Sequence, residues 1–387
     1  MTRALRVLIA HPSADLYGSD LQLVESVRGL REAGMSVVVS VPAPGPLEDL
    51  LVRAGAHVLV EPVPVLRKAL LSPSGVLRLA LAAPASVARL VRRLRSSRPD
   101  VVYVNTVTVP WWIVAARLAR VPVVAHVHEA EQDGALLVRR LVAAPLALAR
   151  SVVVNSAAAL DAAAVVPGVR GRARIVHNGF PGPADVADVR PRDPVDPAHV
   201  VVVGRLSPRK GVDVALDAVG LLVARGHDVT LDVCGTAFDG YEWFEDKLRE
   251  RATQPDLAGR VVLRGYVRPT WDVLASADVV LVPSRTEPFG NTAVEALLAG
   301  RPLVASAVQG LAEIVRDGRT GLLVAPGDPV ALADGVERLL DDPSLAARLA
   351  VAGLADARER FSPERYRAAV ADAVLSVAGP RPGRAAR

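Results

Sequence analysis

Two glutamates, Glu287 and Glu295, are separated by eight positions in the stretch EPFGNTAVEALLAGRP. The run 293–299 has the Ala, Leu and Glu content of a helix, with Asn291 or Thr292 as the expected N-cap. The backbone amides at the start of such a helix form a site for an anion such as phosphate. Carboxylates beside that site would repel phosphate, so they are better suited to accepting hydrogen bonds from the hydroxyls of an attached sugar. In the alternative interpretation, Glu287 only stabilises the helix dipole and Glu295 is a solvated surface residue.

A pair of cations follows another apolar run, in the stretch VVVGRLSPRKG. This run ends at Gly204, and Arg205 and Lys210 lie on either side of a Ser-Pro turn, with Gly211 opening a helix. Two fixed cations beside a helix N-terminus suit a diphosphate. A further apolar run ends at Gly235, where the backbone can approach a ligand closely. Together, these features predict a nucleotide-linked ligand.

The elements that must position these residues can be read from short apolar runs that alternate with helical patterns. Nearly continuous Val, Ile and Leu without polar alternation indicates strands that are covered on both faces, as in a parallel sheet. Helical stretches such as 19–33 and 135–149 lie between them, and this βαβ order predicts an α/β fold. The strand-type runs are 5–10, 36–41, 57–60, 101–105, 122–128, 151–155, 174–179, 199–206, 229–235, 261–266, 278–284, 301–306 and 321–326.

The length of 387 residues and the hydrophobic content of 51% predict two domains. A segment rich in Pro, Asp and Gly interrupts the strand pattern after residue 180 and is typical of a linker. Two sheets facing each other would hold a substrate in the cleft between their strand ends. The predicted division is a first domain 1–185, a linker 186–198, a second domain 199–361, a C-terminal helix 362–378 and a disordered tail 379–387.

The composition excludes several classes of protein. The single cysteine, Cys234, excludes an intramolecular disulfide framework and a cysteine-based zinc site. No signal peptide and no apolar stretch of membrane-spanning length is visible in the sequence. We therefore expect a cytoplasmic protein, either soluble or bound peripherally at the inner membrane face.

Positive charge is concentrated in the first half of the chain. Residues 62–99 carry eight Lys and Arg residues, interleaved with Leu and Val, and no Asp or Glu. Such a segment can lie on anionic lipid, and Trp111 and Trp112 could extend an interfacial surface. The alternative is an ordinary helix pair with arginines on its solvated face. Nucleic acid is not expected as a partner, since no aromatic platform or reading motif accompanies the charge.

Three stretches of the second half resemble the donor domain of retaining GT-B glycosyltransferases, the family-four group in particular. They are GRLSPRKG, VLVPSRTEPFGNTAVEALLAGRPLVAS and EIVRDGRTGLLVAPGD, and the resemblance covers most of 200–376. It implies a GT-B fold of two Rossmann-like, doubly wound domains facing across a cleft, with the C-terminal helix crossing back to the first domain. It also implies that Arg205 and Lys210 bind the donor diphosphate, while Glu287 contacts the donor sugar.

The resemblance assigns further roles around the two glutamates. Phe289 and Gly290 would contact the sugar and the phosphate, and Glu295 the ribose. The donor-binding residues implied in this way are Gly18, Arg205, Lys210, Gly235, Phe289, Gly290, Asn291, Thr292 and Glu295, and the catalytic residues are Arg205, Lys210, Glu287 and His128.

The first half resembles the same family through its first loop and its fifth apolar run. The stretch HPSADLYGSDLQLVESVRGLREAGMSVVV has Gly18-Ser19 where many members have two glycines. The stretch PVVAHVHEAE implies that His128 lines the acceptor side. His126 lies two residues away, on the same side of an extended strand, and stays an alternative for this contact. Either histidine could instead be satisfied within the sheet.

The reaction implied is transfer of a hexose or related sugar from a nucleoside diphosphate to an acceptor hydroxyl, with retention of configuration. Because the chain has no Asp-x-Asp motif, we expect neither a metal ion nor any other cofactor, and neutralisation of the leaving group by protein cations. The acceptor is expected to be a glycan or lipid-linked, in glycan, glycolipid or cell-envelope polysaccharide biosynthesis. The alternatives are a nucleotide-sugar-binding protein without transfer and a GT-B-fold epimerase, which would need further acid and base residues.

Overall fold

The computed structural model describes residues 3–66, 73–130, 135–183, 197–238 and 240–378, and for 73–81 it describes the backbone only. The chain divides into two compact units. Unit 1 is Met1–Gly179 together with Pro363–Arg387, and unit 2 is Phe180–Ser362. Most of the predicted linker and all of the predicted tail lie outside the described residues.

Unit 1 is a seven-stranded parallel sheet with helices on both faces, in the strand order β3-β2-β1-β4-β5-β6-β7. The order reverses between the neighbouring strands β1 and β4, so the loops that follow these two strands diverge at the ligand-binding position of an open α/β sheet. The elements are β1 (Arg6–Ala10), α1 (Gly18–Glu32), β2 (Ser36–Val41), α2 (Leu47–Arg53), β3 (His57–Val60), α3 (Pro73–Ser97), β4 (Val101–Val104), α4 (Trp111–Ala119), β5 (Val123–Val127), α5 (Leu136–Ala143), β6 (Ser151–Val154), α6 (Ala157–Ala163) and β7 (Ala173–Ile175).

Unit 2 is a six-stranded parallel sheet in the order β10-β9-β8-β11-β12-β13. Here the order reverses between β8 and β11, the strands that precede the Arg205–Lys210 segment and the first glutamate. The elements are β8 (Ala198–Val203), α7 (Val212–Ala224), β9 (Val229–Cys234), α8 (Glu242–Ala252), β10 (Val261–Gly265), α9 (Trp271–Ser276), β11 (Val279–Val282), α10 (Asn291–Leu298), β12 (Leu303–Ser306), α11 (Gln309–Ile314), β13 (Leu322–Val324), α12 (Pro329–Asp341) and α13 (Pro343–Arg360).

The C-terminal helix α14 (Pro363–Val377) is part of unit 1 and packs on α1. The hydroxyl groups of Ser26 and Tyr366 are hydrogen-bonded at 2.6 Å, and Arg367 forms an ion pair with Glu25 at 2.6 Å. Gly29 permits this packing, because a Cβ there would lie 2.7 Å from the Cα of Arg367. The helix therefore returns to the first sheet, as the resemblance implied.

All thirteen predicted strands are present. The runs in the middle of each sheet are buried, whereas the edge strands β3, β7 and β10 are partly exposed. Two helix predictions were wrong in detail. The stretch 135–149 is the short helix α5 followed by a 3-10 turn at 144–148, where Pro145 interrupts the α-helical hydrogen bonding. Residues 73–97 form one helix, α3, and not a helix pair.

The described part of α3 does not present an apolar face to solvent. Leu90 and Leu94 lie in the core beneath the sheet, and the exposed arginines include Arg89 and Arg93, which form ion pairs with Glu61. Likewise, Trp112 is buried in this core, and the indole nitrogen of Trp111 donates to the Pro64 carbonyl oxygen at 2.6 Å. The described part of α3 thus has its apolar side chains in the core and its arginines on the solvated face, and contact of this face with lipid stays untested. Arg67 and Lys68 lie outside the described residues.

Candidate active site

A buried ion pair lies where the strand order of unit 2 reverses. Lys210 ends a 3-10 turn that follows β8, and Glu287 lies in the loop that follows β11. The ammonium nitrogen of Lys210 is 2.5 Å from Oε2 of Glu287, and the two side chains are 18% and 9% exposed. The two residues come together because their strands are adjacent and parallel, with Val202 opposite Leu281. A fixed cation and a fixed carboxylate therefore meet at the expected ligand position of this sheet.

The Glu287 carboxylate is ionised at neutral pH. Burial alone would raise its pKa, but the positive charges of Lys210 and Arg209 outweigh burial and hold the pKa below its ordinary value. The Ser284 hydroxyl donates a further hydrogen bond, 3.1 Å long, to the same oxygen, Oε2. Among the described residues, no hydrogen bond reaches the other oxygen, Oε1, which leaves this oxygen as an acceptor for a ligand.

The backbone around Glu287 is fixed by α11. Its amide donates to the side-chain oxygen of Gln309 at 2.8 Å, and its carbonyl accepts from the amide of Gly310 at 3.1 Å. Gln309 has a positive φ of 38°, a conformation that costs free energy and is maintained by surrounding contacts. Sequence reasoning missed Arg209, Ser284 and Gln309. Only Arg209 carried a signal, since it lies next to Lys210.

Helix α10 begins at Asn291, and its N-cap is Gly290, so the prediction of Asn291 or Thr292 as the cap was wrong. Gly290 has a φ of 118°, and a Cβ there would lie 2.6 Å from Cδ2 of Leu311. Only glycine fits this combination of conformation and packing. The Thr292 hydroxyl donates to the carbonyl oxygen of Val203, 3.3 Å away, and so anchors the helix start to the end of β8. The positive end of the α10 dipole is thus fixed beside the strand that leads to the cations.

The second glutamate, Glu295, lies about one turn into α10 and is half-buried. Burial raises its pKa to about 7, although a 3.4 Å hydrogen bond from Thr270 and the charges of Lys210 and Arg268 act in the opposite direction. The two glutamates therefore differ in charge state at neutral pH. Glu287 is held in the ionised form, whereas Glu295 takes up a proton near neutral pH.

The remaining predicted donor residues of unit 2 are placed as follows. The guanidinium of Arg205 lies over the ring of Phe238, 3.8 Å from its centroid, which holds the cation in place by a cation–π contact. Phe289 is buried against Phe361, so its side chain belongs to the core. A Cβ on Gly235 would overlap the carbonyl oxygen of Gly204. The absence of a side chain at Gly235 thus allows the ends of β9 and β8 to lie close together, and its contact with a donor stays a prediction.

In unit 1, the two candidate histidines lie on the same side of β5, with ring centroids 4.0 Å apart. His126 is completely buried, and its Nδ1 is hydrogen-bonded to the Tyr103 hydroxyl at 2.5 Å. His128 is half-buried and directly follows the strand. Burial lowers the pKa of His128 to about 3, so its imidazole is neutral. His128 is therefore the better placed of the two for a ligand contact.

A hydrogen-bonded chain of side chains extends from His128 across three adjacent strands. His128 Nε2 is 3.0 Å from Asn105 Oδ1, Asn105 Nδ2 is 3.0 Å from His11 Nδ1, and His11 Nε2 is 2.8 Å from Asp20 Oδ1. Asp20 also accepts hydrogen bonds from the Ser13 hydroxyl and the Tyr17 amide, at 2.6 and 2.9 Å. Gly18 is the first residue of α1, immediately after this loop. Sequence reasoning missed Asn105, His11 and Asp20.

Within the described residues, no cluster of three His, Cys, Asp or Glu side chains is arranged to hold a metal ion. Cys234 is buried, and burial and the nearby Asp232 raise the pKa of its thiol to about 11, which makes it a poor metal ligand or nucleophile. In the same part of the chain, no helix is long and apolar enough to cross a membrane.

The sequence matches two family models, one in each half. Residues 18–181 match Glycosyltransferase Family 4, and residues 197–342 match Glycosyl transferases group 1. The chain is 34% identical over 304 residues to the glycogen synthase of Mycobacterium tuberculosis, covering 73% of this chain and 69% of that protein. It is 36% identical over 213 residues to a D-inositol 3-phosphate glycosyltransferase of Nocardioides, covering 48% of this chain and 45% of that protein.

The fold is similar to that of solved structures over nearly the whole chain. The complex of Anabaena HepE with UDP-glucose superposes with a TM-score of 0.80 at 25% identity, over 96% of this chain and 100% of HepE. The two parallel-sheet units, the two family models and the glycogen synthase match agree with one another. The chain therefore belongs to the GT-B glycosyltransferases of group 1 and family 4.

Proposed function

We propose that this protein transfers a sugar from a nucleoside diphosphate sugar to an acceptor hydroxyl with retention of anomeric configuration and without a metal ion. The observation that carries the proposal is the Lys210–Glu287 ion pair beside the start of α10, where the strand order of unit 2 reverses. Support also comes from Anabaena HepE, which was solved with UDP and with UDP-glucose.

The leaving diphosphate is neutralised by protein cations in this mechanism. An ammonium group carries three protons, so Lys210 can bind Glu287 with one and phosphate oxygens with the others. Arg205, held over Phe238, and the positive end of α10 supply the remaining positive potential. These groups are already oriented before charge develops on the leaving group, which is the condition for effective electrostatic stabilisation.

The two glutamates orient the donor through its hydroxyl groups. Glu287 offers the oxygen Oε1 to the donor sugar, while Oε2 stays bound to Lys210 and Ser284. This fixed, charge-compensated carboxylate is assigned to orienting the sugar and not to nucleophilic attack. Glu295 accepts hydrogen bonds from the ribose. In unit 1, Gly18 lets the backbone approach the transferred group and His128 contacts the sugar on the acceptor side.

The proposal is tested by incubating the purified protein with UDP-, GDP- and ADP-sugars and measuring the rise in melting temperature. The stabilising donor is then supplied with candidate acceptors, and the anomeric configuration of the product is determined by NMR. Retained configuration is the expected result. An inverted product would contradict the mechanism, binding without transfer or donor hydrolysis would favour the binding protein, and an epimerised nucleotide sugar would favour the epimerase.

We further propose that the acceptor is lipid-linked and that unit 1 docks on the inner membrane face. Support comes from the leucine face of α5, which we define as Leu136, Leu137, Val138 and Leu141. All four side chains are exposed, with exposed fractions of 68% for Leu137 and 65% for Leu141. Arg140, on the same helix, is also exposed, and residues 135–160 contain no Asp or Glu. Exposed apolar side chains flanked by cations are complementary to an anionic lipid surface.

Co-sedimentation with vesicles tests this docking. Binding to phosphatidylglycerol vesicles but not to phosphatidylcholine vesicles, weakened by high salt, is the expected result. The double variant Leu137→Ser/Leu141→Ser should lose it, while Leu375→Ser, which removes an exposed leucine from α14, should bind like the wild type. Equal, negligible binding of the wild type to both vesicles would leave a soluble glycan as the acceptor.

A further inference from the structure

The chain of buried side chains in unit 1 connects residues that directly follow three neighbouring strands. His11 follows β1, Asn105 follows β4 and His128 follows β5, and these strands are adjacent and parallel. His11, Asn105 and the last member, Asp20, are almost completely buried. We call His128, Asn105, His11 and Asp20 the histidine relay. Its three internal hydrogen bonds are 2.8–3.0 Å long.

The position of each proton in the histidine relay follows from the acceptor at its end. Burial raises the pKa of Asp20, but hydrogen bonds from His11 and Ser13 outweigh it and the pKa is lowered, so the carboxylate only accepts. For a His11 ring with one proton, this proton lies on Nε2 beside Asp20, and Nδ1 accepts from the Asn105 amide. The oxygen of that amide then faces His128, so the proton of His128 must lie on Nε2.

This order leaves Nδ1 of His128 as a lone-pair acceptor. It is a buried atom without a hydrogen-bond partner among the described residues. A buried polar atom without a partner is unfavourable, and such atoms often lie where a ligand binds. Only a ligand group with a proton to donate, such as a hydroxyl, satisfies a neutral imidazole nitrogen, whereas a phosphate or carboxylate oxygen does not.

We propose that Asn105, His11 and Asp20 are positioning residues that hold His128 in the Nε2-protonated tautomer, with Nδ1 presented to a sugar hydroxyl. This inference rests on the proposed function for the identity of the hydroxyl, but the tautomer itself does not depend on it. Asp20 also fixes the loop before Gly18 through Ser13 and Tyr17. The relay thus links the loop expected to approach the transferred group to the orientation of His128.

The tautomer can be measured directly by ¹⁵N NMR of the histidine side chains, with the His128 signals assigned by comparison with His128→Gln. The wild type should show a neutral, Nε2-protonated His128 at pH 7. Asn105→Leu keeps the side-chain volume and removes the amide, so it should yield a mixture of tautomers. The matched control is Asn155→Leu, another buried asparagine directly after a strand of the same sheet, which should leave the His128 signals unchanged.

The kinetic consequence separates positioning from folding. Asn105→Leu should lower kcat by about tenfold or more, as expected for a hydrogen bond strengthened in the transition state, and change the KM for the donor little. Asp20→Asn should have a smaller effect in the same direction, with both variants melting cooperatively. An unchanged His128 tautomer and an unchanged kcat in Asn105→Leu would overturn the inference. If the wild type transfers no sugar at all, the proposed function fails, and the NMR measurement still decides the relay.

Discussion

Lys210 and Glu287 are 77 positions apart in the sequence, and their charged groups are 2.5 Å apart in the structure. The pair was implied by family resemblance as two separate ligand contacts, one to phosphate and one to sugar. The direct contact adds a coupling between them. Because each charge compensates the other in a buried environment, removal of one leaves the other buried without its ion-pair partner.

We predict that Lys210→Ala will weaken both catalysis and folding. It removes a charge-assisted hydrogen bond worth about 1.5–3 kcal/mol to the diphosphate, so kcat/KM should fall about tenfold or more. It also raises the pKa of Glu287 and lowers the free energy of unfolding, measured by urea denaturation. The control is Lys247→Ala, which removes an exposed lysine from α8. Equal donor kinetics in the two variants would exclude Lys210 from the donor site.

The double variant Lys210→Met/Glu287→Gln tests the coupling itself. If the two charges compensate each other, the loss in free energy of unfolding should be smaller in the double variant than the sum of the losses in Lys210→Met and Glu287→Gln. Additive losses would mean that the 2.5 Å contact contributes little net free energy.

The raised pKa of Glu295 predicts a pH dependence with a definite sign. The folded protein keeps this carboxyl protonated up to about pH 7, whereas the unfolded chain releases the proton near its ordinary pKa of 4.5. The contribution of Glu295 to the free energy of unfolding should therefore fall as the pH rises from about 4.5 to 7 and stay constant above it. Urea denaturation across this range should show a smaller decrease in the free energy of unfolding for Glu295→Gln than for the wild type. The control Glu250→Gln, at an exposed position on α8, should show the same decrease as the wild type.

Donor binding should depend on the same proton in the opposite sense. The ionised carboxylate is the better acceptor for ribose hydroxyls, so the dissociation constant of the nucleoside diphosphate should decrease between pH 6 and 8. Calorimetry with the wild type and Glu295→Gln measures this directly. A dependence that survives in the variant would assign the proton to another group.

We predict that Gly290→Ala will disrupt the start of α10. An alanine would have to adopt a φ of 118°, at a cost of roughly 1–3 kcal/mol, and would also overlap Leu311. Gly226→Ala is the matched control, because Gly226 has a φ of 96° but nothing within 4 Å of the added carbon. The difference in the free energy of unfolding between the two variants gives the cost of the overlap between the added carbon at position 290 and Leu311. Similar losses in both would show that Leu311 moves aside.

The sequence predicted the strands well because parallel strands covered on both faces need long apolar runs that surface segments do not have. The start of α10 was predicted less well. Asn291 and Thr292 are good N-caps by side-chain chemistry, yet the position of Gly290 is decided by its contact with Leu311, which only the tertiary structure contains. Similarly, the close contact of Gly235 with the carbonyl oxygen of Gly204 is present only in the tertiary structure and could not be predicted from the sequence.

The histidine relay had a visible signal that could not be interpreted from one sequence. His11 and Asn105 are polar residues placed directly after apolar runs, as is His128. What was missing is the strand order, because β1 and β4 are neighbours although 94 positions separate His11 from Asn105. The order of hydrogen-bond donors and acceptors also depends on the buried Asp20, which sequence reasoning treated only as part of a helix.

The last prediction concerns metal dependence. If Lys210, Arg205 and the N-terminus of α10 neutralise the leaving diphosphate, initial transfer rates should be the same with and without excess EDTA, and added Mg²⁺ or Mn²⁺ should not increase them. The comparison should include Lys210→Ala, because loss of a protein cation is the condition under which a bound Mg²⁺ could partly replace it. Rescue of that variant by Mg²⁺, with no effect on the wild type, would place Lys210 at the diphosphate. If EDTA abolishes wild-type activity and Mg²⁺ or Mn²⁺ restores it, the protein cations are insufficient and the electrostatic assignment is wrong.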